Sequence, residues 1–509
     1  MPHDEDKRPG ETPPRESLPG SLRRGADYPG YLLLLATAGL FVLRLPLLLV
    51  RAFDPDELEH AHAAWCVAKG MIPYQDFFEH HTPWYYYLLS PFFRWFDVDL
   101  SFESARHFLL FGRGLSLLLA ILSVVLVAVI GRVWEDRRVG VLAGFLLAGQ
   151  PVFLQKTLEI RPDVLALPCL LGGLALLLSA LARSPEPAGR SLRAFFFGGL
   201  GLGAAVMCTQ KMLFVLPGAF AGLGLWALAG GARAALGSRL LRIAIVFLGL
   251  ALPLALTWAA FALYHAGGAM IANNFLLNAG WRQVVHQQLL LVLETSWPVL
   301  VLCLLGAAVC LYWFFRSRPR AYGGFLLFCI LVGLGAGILV VPVAHRQYYL
   351  ILLPVICLFA AKGLTFLVDR AAERARAWLL LLATLLLLIL PALGLREEFQ
   401  RRDDRQLARL RHVFARTKPT DLVMDGWEGT GVFRPHAFYY YFLHEESVPM
   451  LARPRVEAFL DDLETGKVRP RLIALDENLV ALGSRFLRFV KSNYGSSDGF
   501  FYFSTAGTD

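Results

Sequence analysis

Long apolar runs separated by short polar connections dominate the chain between residues 30 and 396. Several runs reach the roughly 20 residues that cross the hydrocarbon core of a bilayer. In lipid such runs must be helical, because only helices pair all their backbone groups within one segment. We therefore predict a polytopic α-helical membrane protein with about eleven transmembrane helices, near residues 30–50, 108–130, 139–155, 163–182, 194–209, 212–230, 241–262, 291–315, 323–342, 347–367 and 378–396.

Basic residues orient these helices. Residues 1–29 are rich in Pro, Glu and Arg and are predicted to be a disordered cytoplasmic tail. Every second connection is also basic, so the positive-inside rule places it in the cytoplasm. The remaining connections would face outward, and the longest of them spans residues 51–107. The expected location is the cell (inner) membrane. The five inner connections each contain at least one arginine, for example, in chain order, Arg132, Arg183, Arg233, Arg316 and Arg370.

Residues 397–509 change from this pattern. The stretches DLVMDGW (421–427) and RLIALDE (471–477) are typical of short buried strands, and RVEAFLDDLETGK (455–467) between them has helical spacing. A strand–helix–strand order predicts a small α/β domain. With an odd number of spans, this domain would lie outside the cytoplasm, whereas residues 30–396 would form the membrane domain.

Composition agrees with a membrane protein and excludes some other classes. Of the 509 residues 56% are hydrophobic and only 17% are charged, below the roughly 25% of soluble domains. The net charge is +9, but no basic stripe interleaved with aromatics indicates a nucleic-acid partner. Seven scattered cysteines form no disulfide framework or CxxC metal pattern.

Acidic residues and histidines are concentrated in DPDELEHAHAAW, residues 54–65, directly after the first span. In a helix, Asp56, Glu57 and His60 share one face. A carboxylate in a partly dehydrated cleft, tuned by a nearby histidine or cation, can act as a general base. The alternative is that these acids only cap the helix and complement its dipole.

The same connection continues with YQDFFEHHTPWYYYLLSPFFRWF, residues 74–96. Its dense aromatics suit a helix lying in the membrane interface. A mere anchor would explain the aromatics but not Glu79, His80 and His81. Binding of a divalent metal is an alternative role for the acidic residues and histidines of this connection. Their spacing matches no zinc pattern, so we expect no metal and no required cofactor. The candidate ligands would be Asp56, His60, His62, His80 and His81.

Other connections on the predicted outer face also carry cations. An anionic lipid headgroup or a substrate phosphate would give these basic residues a partner. The alternative is that they are lysines and arginines that reach to the interface along their apolar stems. The three segments are QKTLEIRPD, TQK and AHRQYY, with Lys156, Arg161, Asp163, Lys211, His345, Arg346 and Tyr348.

In the order and spacing of these motifs, the chain resembles the GT-C membrane glycosyltransferases, close to the protein O-mannosyltransferases, the lipid A aminoarabinose transferases and the galacturonic-acid transferases. The resemblance covers about residues 30–370. It rests on the Asp56-Glu57 pair, FEHHTPWYYYL, Arg161-Pro162-Asp163, TQK and QYYLILLP. His81 stands where these families usually have lysine, and Thr82 replaces a proline.

The resemblance implies an inverting transfer of a sugar from a polyprenyl-phosphate donor to an acceptor hydroxyl on the outer face, on a glycan, lipid or protein. Asp56 would be the base, with Glu57 beside it as a second catalytic residue. The residues that the resemblance assigns to the substrate and its lipid phosphate are His80, His81, Arg161, Asp163, Lys211, Arg346 and Tyr348.

Two other functions stay open at this point. A transporter or flippase would be expected to place its ionisable residues near mid-membrane, whereas here they cluster in connections. A non-catalytic polysaccharide-assembly membrane protein would tolerate loss of the Asp56 carboxylate.

Overall fold

The computed structural model describes residues 28–182, 188–229, 236–280, 287–317, 322–341, 345–402, 404–441, 443–444, 448, 451–496 and 498–505. The predicted N-terminal tail therefore lies outside the described residues, except for its last two positions, which begin the first helix.

Each predicted apolar run is largely helical where it is described, which confirms a polytopic α-helical fold. The helices of this part are α1 (Tyr28–Arg44), α2 (Leu47–Val50), α3 (Pro55–Ala68), α4 (Trp84–Leu89), α5 (Phe93–Phe96), α6 (Phe102–Trp134), α7 (Arg137–Ala148), α8 (Pro151–Lys156), α9 (Pro162–Ala182), α10 (Ala188–Cys208), α11 (Val215–Ala229), α12 (Leu236–Leu263), α13 (Gly267–Ile271), α14 (Gln287–Ser317), α15 (Tyr322–Val340), α16 (Arg346–Tyr349), α17 (Leu353–Arg370), α18 (Glu373–Leu387) and α19 (Ile389–Gln400).

Eight segments within the described residues are long and apolar enough to cross a membrane. The predicted span 139–155 differs from them, because α7 ends at Ala148 and Pro151 begins a new helix. Proline lacks the backbone N–H that a continuing helix would need but fits a first turn. The run 347–367 is likewise divided, into α16 and α17, with Pro354 in the first turn of α17.

Glycines let neighbouring helices approach closely in the membrane part. A Cβ placed on Gly306 of α14 would lie 1.9 Å from the Phe359 carbonyl oxygen of α17, and one on Gly249 of α12 would lie 2.2 Å from the Phe196 carbonyl oxygen of α10. Small residues at such crossings are the usual means of packing helices in lipid, where burial from water no longer drives their association.

The C-terminal domain contains the small α/β fold that its sequence predicts. Its four-stranded sheet has the order β1–β2–β4–β3, with β1 parallel to β2 and the other neighbours antiparallel. The elements are α20 (Asp404–Arg416), β1 (Val423–Met424), α21 (Arg453–Glu464), β2 (Leu472–Ala474), α22 (Glu477–Val480), α23 (Ser484–Asn493), β3 (Tyr494–Ser496) and β4 (Phe501–Ser504).

The first long loop, residues 51–101, packs between the membrane helices and this domain. Leu58 and Tyr86 of the loop share one apolar cluster with Phe108 of α6 and with Phe433 and Tyr441 of the C-terminal domain. The loop is therefore held from both sides, and this contact places its polar residues at the junction of the two parts.

Candidate active site

A cavity of about 400 Å³ lies where the first long loop meets the ends of the membrane helices and the C-terminal domain. Nine site residues were predicted from the sequence. Seven of them line this cavity, whereas Glu57 and Asp163 do not. The complete lining is Asp54, Asp56, Glu59, His80, His81, Gln155, Lys156, Arg161, Gln210, Lys211, Asn278, Val341, His345, Arg346, Gln347, Tyr348, Arg401, Trp427 and His444.

The acidic residues at the start of α3, Asp54, Asp56 and Glu57, have different roles. Pro55 occupies the first helical position, and the Asp54 side chain accepts a hydrogen bond from the Asp56 backbone N–H (3.2 Å). In return, the Glu57 carboxylate accepts one from the Asp54 backbone N–H (3.0 Å). This reciprocal arrangement is a capping box. The helix-cap alternative therefore holds for Asp54 and Glu57, and the Asp56 side chain points into the cavity.

Glu57 is fully buried behind the cavity wall. Arg113 donates two hydrogen bonds to its carboxylate, at 2.7 and 2.8 Å, and Arg51 lies 3.6 Å from it. The expectation that Glu57 is catalytic is not matched by this position. The structure instead makes it an anchor that fixes the first turn of α3 to α6.

Asp56 is paired with Arg161, whose Nη2 lies 2.8 Å from Asp56 Oδ2. Burial by itself would raise the pKa of the Asp56 carboxyl, but Arg161 and Lys156 outweigh it and hold that pKa well below its usual range. The Asp56 carboxylate is therefore ionised, as a base requires, although the ion pair weakens its basicity.

The predicted cationic residues converge on the same cavity, each with its own partner. Lys211, in the lining, pairs at 3.2 Å with Asp163, which is buried outside the lining. The Lys211 ammonium also lies 4.4 Å from the centre of the Tyr348 ring. Arg346 donates to the Gln155 side chain (3.0 Å). Such groups are suited to an anionic ligand.

The segment 79–81 is organised around Glu79. Its Oε1 accepts hydrogen bonds from the backbone N–H groups of His80 and His81 (2.9 Å each) and faces His81 Nδ1 at 3.0 Å. Tyr441 of the C-terminal domain donates to the other carboxylate oxygen (3.0 Å). The backbone bonds aim both histidines into the cavity.

Two histidines proposed as alternative metal ligands lie elsewhere. His62 is buried with its Nδ1 2.8 Å from the Val432 carbonyl oxygen, outside the cavity lining. His60 is buried behind the lining, with its Nδ1 3.1 Å from the Tyr86 hydroxyl.

Sequence reasoning missed Glu59 and the residues of the C-terminal domain. Glu59 follows Asp56 by three positions, so a helical projection would have placed it on the same face. Trp427 and His444 also line the cavity. No local pattern marks these two, because they are about 370 residues from α3 and reach it only through folding. The Asp476 carboxylate shapes their loop by accepting from the backbone N–H groups of Gly426 and Trp427 (2.9 and 2.8 Å).

A second, apolar cavity of about 910 Å³ is lined by Pro83 and Trp84 of the first long loop. It is formed by the first loop, α9, the end of α10 and the last turns of α12. Its lining includes Val67, Ile72, Pro83, Trp84, Tyr87, Leu88, Leu165, Cys169, Cys208, Leu256, Ala260 and Phe261.

Comparison with known proteins gives a family match and several structural matches. Residues 80–261 match the family model described as dolichyl-phosphate-mannose-protein mannosyltransferase. Comparison with curated proteins gives no match.

The structural matches share the fold at low sequence identity. The archaeal oligosaccharyltransferase AglB from Archaeoglobus fulgidus, in complex with an inhibitory peptide and a dolichol-phosphate, has a TM-score of 0.60 and 13% identity, covering 94% of this chain and 74% of its own. ArnT from Cupriavidus metallidurans bound to undecaprenyl phosphate has a TM-score of 0.60 and 13% identity, covering 93% of this chain and 97% of its own. The apo state of ArnT has a TM-score of 0.63, with the same identity and coverage.

The polytopic helical fold agrees with both the family model and the structural matches. The carboxylate and cations expected from the resemblance stand in one cavity of that fold. The chain therefore has the fold of AglB and ArnT, and its residues 80–261 are similar to the dolichyl-phosphate-mannose-protein mannosyltransferase family.

Proposed function

We propose that the chain transfers a sugar from a polyprenyl-phosphate donor to an acceptor hydroxyl, with inversion, on the outer face of the membrane. The observation that carries this proposal is the Asp56 carboxylate in a cavity lined by Arg161, Lys211 and Arg346. A base for the acceptor and cations for the leaving phosphate are the two requirements of such a displacement.

The two cavities suit the two ends of the donor. The polar cavity would hold the sugar and phosphate, and the apolar cavity beside Pro83 and Trp84 would hold the isoprenoid chain. Supporting this division, the similar folds of AglB and ArnT were solved with dolichol-phosphate and undecaprenyl phosphate. The AglB structure also holds an inhibitory peptide, which supports a second binding site beside that of the lipid-linked donor.

In the proposed reaction, Asp56 takes the proton of the acceptor hydroxyl while its oxygen forms a bond to the anomeric carbon. The bond from that carbon to the donor phosphate oxygen breaks, and its electron pair stays on the phosphate. Arg161 and Lys211 stabilise the negative charge that develops there. One proton moves and one bond is exchanged, so the reaction itself requires no cofactor.

The ion pair between Asp56 and Arg161 gives this scheme an order of events. Without donor, Arg161 keeps the pKa of Asp56 low. A donor phosphate would compete for the guanidinium, which weakens its hold on Asp56 and moves the carboxyl pKa toward the working pH. Asp56 would thus become an effective base only when the donor is bound.

The arginine distribution supports this orientation. By the positive-inside rule, the basic connections favour an N-terminus in the cytoplasm and a first long loop outside. The C-terminal domain packs on that loop, so it would lie on the same outer side of the cell membrane.

The test is sugar transfer in membranes supplied with radiolabelled polyprenyl-phosphate sugars. Asp56→Asn is expected to lower transfer by about 100-fold or more, the size of a general-base contribution. Asp97→Asn is the matched control, since Asp97 is exposed on the same loop and its φ of 45° suits asparagine equally well. Equal transfer by Asp56→Asn and the wild type would exclude Asp56 as the base.

A further inference from the structure

A stretch rich in arginine joins the membrane part to the C-terminal domain. Residues 396–418 contain seven arginines and one lysine against four acidic residues. Five of these arginines are exposed, and we name them the arginine surface: Arg396, Arg401, Arg402, Arg405 and Arg411. On the proposed outer side of the membrane, the positive-inside rule disfavours arginines beside a helix. Their positive charge therefore calls for an anionic partner.

The chain keeps this surface close to the membrane. α19 ends at Gln400 and closes an apolar helical segment of 28 residues that is long enough to cross a membrane. Arg401 and Arg402 follow it directly, and α20 begins at Asp404. Each residue extends the chain by at most about 3.6 Å, so α20 begins within about 15 Å of the end of α19.

Two contacts place α20 across the ends of other membrane helices. The Gln406 side chain exchanges two hydrogen bonds with the backbone of Phe53, shortly after α2 (2.9 and 3.1 Å). Arg411 Nη2 lies 3.2 Å from Glu103 in the first turn of α6, and the Arg411 guanidinium lies 4.6 Å from the centre of the Phe102 ring. α6 has 33 residues and is about 50 Å long, so its polar first turn extends beyond a hydrocarbon core of about 30 Å. α20 therefore lies at the level of the lipid headgroups.

One face of α20 is left open to a partner. Leu410 packs in the apolar cluster formed by the first long loop and α6, and Val413 packs in the cluster of the C-terminal sheet. Arg405, Ala408 and Arg411 are spaced by three residues and are exposed. Residues three apart lie on one helix face, so this face combines positive charge with a small side chain that permits close approach.

The acidic residues nearby leave this charge accessible. Glu398 is buried against Arg51 and thus turned away from the surface. Glu397 lies 3.4 Å from Arg401, and both of these side chains are exposed. The pair between Arg411 and Glu103 is exposed as well. Exposed ion pairs are weak, so an anionic headgroup can compete for both arginines.

We propose that the arginine surface binds the headgroups of anionic phospholipids in the surrounding bilayer. Clusters of about four to eight basic residues beside a membrane helix or on an amphipathic helix recognise such lipids. Guanidinium groups also suit phosphate, because they donate paired hydrogen bonds to its oxygens. Arg401 lines the polar cavity as well, so the surface is continuous with the candidate active site. Lipid binding itself does not depend on the proposed sugar transfer.

The test is native mass spectrometry of the full-length protein in detergent, titrated with dioleoylphosphatidylglycerol or dioleoylphosphatidylcholine. The two lipids have the same acyl chains, and only the first is anionic. The wild type is expected to bind the anionic lipid about tenfold or more tightly, since each arginine near an anionic lipid contributes about fivefold in affinity. The combined variant Arg396→Gln, Arg402→Gln and Arg405→Gln is expected to lose this preference. A preference equal to that of the wild type would overturn the proposal.

Two controls test whether the lipid binds at this surface. The combined variant Arg453→Gln, Arg488→Gln and Lys491→Gln removes the same charge from exposed positions of α21 and α23 and is expected to keep the preference. An equal loss there would mean that net charge alone attracts the lipid, which would refute a localised surface. Arg346→Gln removes a cation of the polar cavity and is also expected to keep the preference. Loss in this variant alone would place the lipid in the cavity and refute the proposal.

A measurement on the wild type covers the case in which the first combined variant does not fold. Salt screens exposed charges much more strongly than buried ones. Raising ammonium acetate from about 0.05 to 0.5 M is therefore expected to lower the preference for the anionic lipid about fivefold or more. A preference that does not change with salt would come from buried contacts and would contradict an exposed arginine surface.

Discussion

At the residue scale, adjacent acids in α3 have different environments. The Asp56 carboxylate lies in the cavity beside Arg161, whereas Glu57 is buried between Arg113 and Arg51. A buried carboxylate that neutralises guanidinium groups is needed for stability, because removing it leaves buried charge uncompensated. The same kind of side chain therefore serves chemistry at one position and folding at the next.

Glu57→Gln is expected to lower the free energy of unfolding by about 3–5 kcal/mol, the usual effect of breaking a buried ion pair. Asp56→Asn, with its side chain partly exposed to the cavity, is expected to have a smaller effect. Unfolding midpoints of the two variants in the same nanodiscs make the comparison. A Glu57→Gln protein as stable as the wild type would contradict the anchoring role.

The dependence of transfer on pH tests the pairing of Asp56 with Arg161. A carboxyl with a depressed pKa stays ionised as the pH falls through its usual range, so kcat/KM, which reports the free enzyme, should show no acid limb from Asp56 above about pH 4. In Arg161→Gln, burial remains and the cation is gone, so the acid limb should move to higher pH.

The matched variant is Arg161→Lys, which keeps the positive charge and is expected to keep the acid limb of the wild type. Measuring kcat/KM between about pH 4 and 8 for the three proteins gives the answer. If the Arg161→Gln limb coincides with that of the wild type, Arg161 does not set the pKa of Asp56.

At the element scale, α3 is the contact between the membrane part and the C-terminal domain. Gly429, in the loop after β1, has a φ of +71°, and a Cβ there would lie 2.4 Å from Leu58 Cβ of α3. The close approach and the left-handed backbone both require glycine at this position. The position of Trp427 in the cavity depends on the same loop.

Gly429→Ala is expected to destabilise docking of the C-terminal domain by about 2–4 kcal/mol, combining left-handed strain with the clash. Gly499→Ala is the control, because Gly499 has a φ of +74° but nothing within 4 Å of its Cβ position. Gly499→Ala should lower the free energy of unfolding by the backbone strain alone, about 1–2 kcal/mol. Equal unfolding midpoints of the two variants would mean that the Leu58 contact contributes nothing.

At the scale of the whole molecule, the polar cavity is complete only when three parts meet. The membrane helices bring Arg161, Lys211 and Arg346, the first loop brings Asp56, and the C-terminal domain brings Trp427. The cations would face the lipid-linked donor. Trp427 belongs to the domain on the water side, so we expect it to contact the acceptor.

Trp427→Ala is therefore expected to raise the KM for the acceptor about tenfold, as loss of one aromatic contact would, with the KM for the donor unchanged. Initial rates with each substrate varied in turn make the measurement. The control is Trp95→Ala, since Trp95 is 74% exposed and lies outside the cavity lining. An effect confined to the donor would contradict the acceptor role.

The secondary-structure elements and the chemistry of the main candidate residues follow from local patterns in the sequence. Apolar runs of membrane length, short strands such as β1 and a helix beginning at Pro55 are all encoded within a few neighbouring residues. Local patterns could therefore predict them, because helix and strand periodicity are properties of contiguous segments. The resemblance, carried by short motifs, assigned both Asp56 and Arg161 to the active site.

Which of these residues share a cavity and which are buried as supports depends on how distant segments pack together. The pairing of Glu57 with Arg113, of Glu79 with Tyr441 and of α3 with Trp427 joins residues from 56 to about 370 positions apart. Packing of distant segments creates such contacts, and neither periodicity nor spacing along the chain records them. The contact between Glu59 and His80 is of the same kind, because these residues meet only after the first loop folds back on α3.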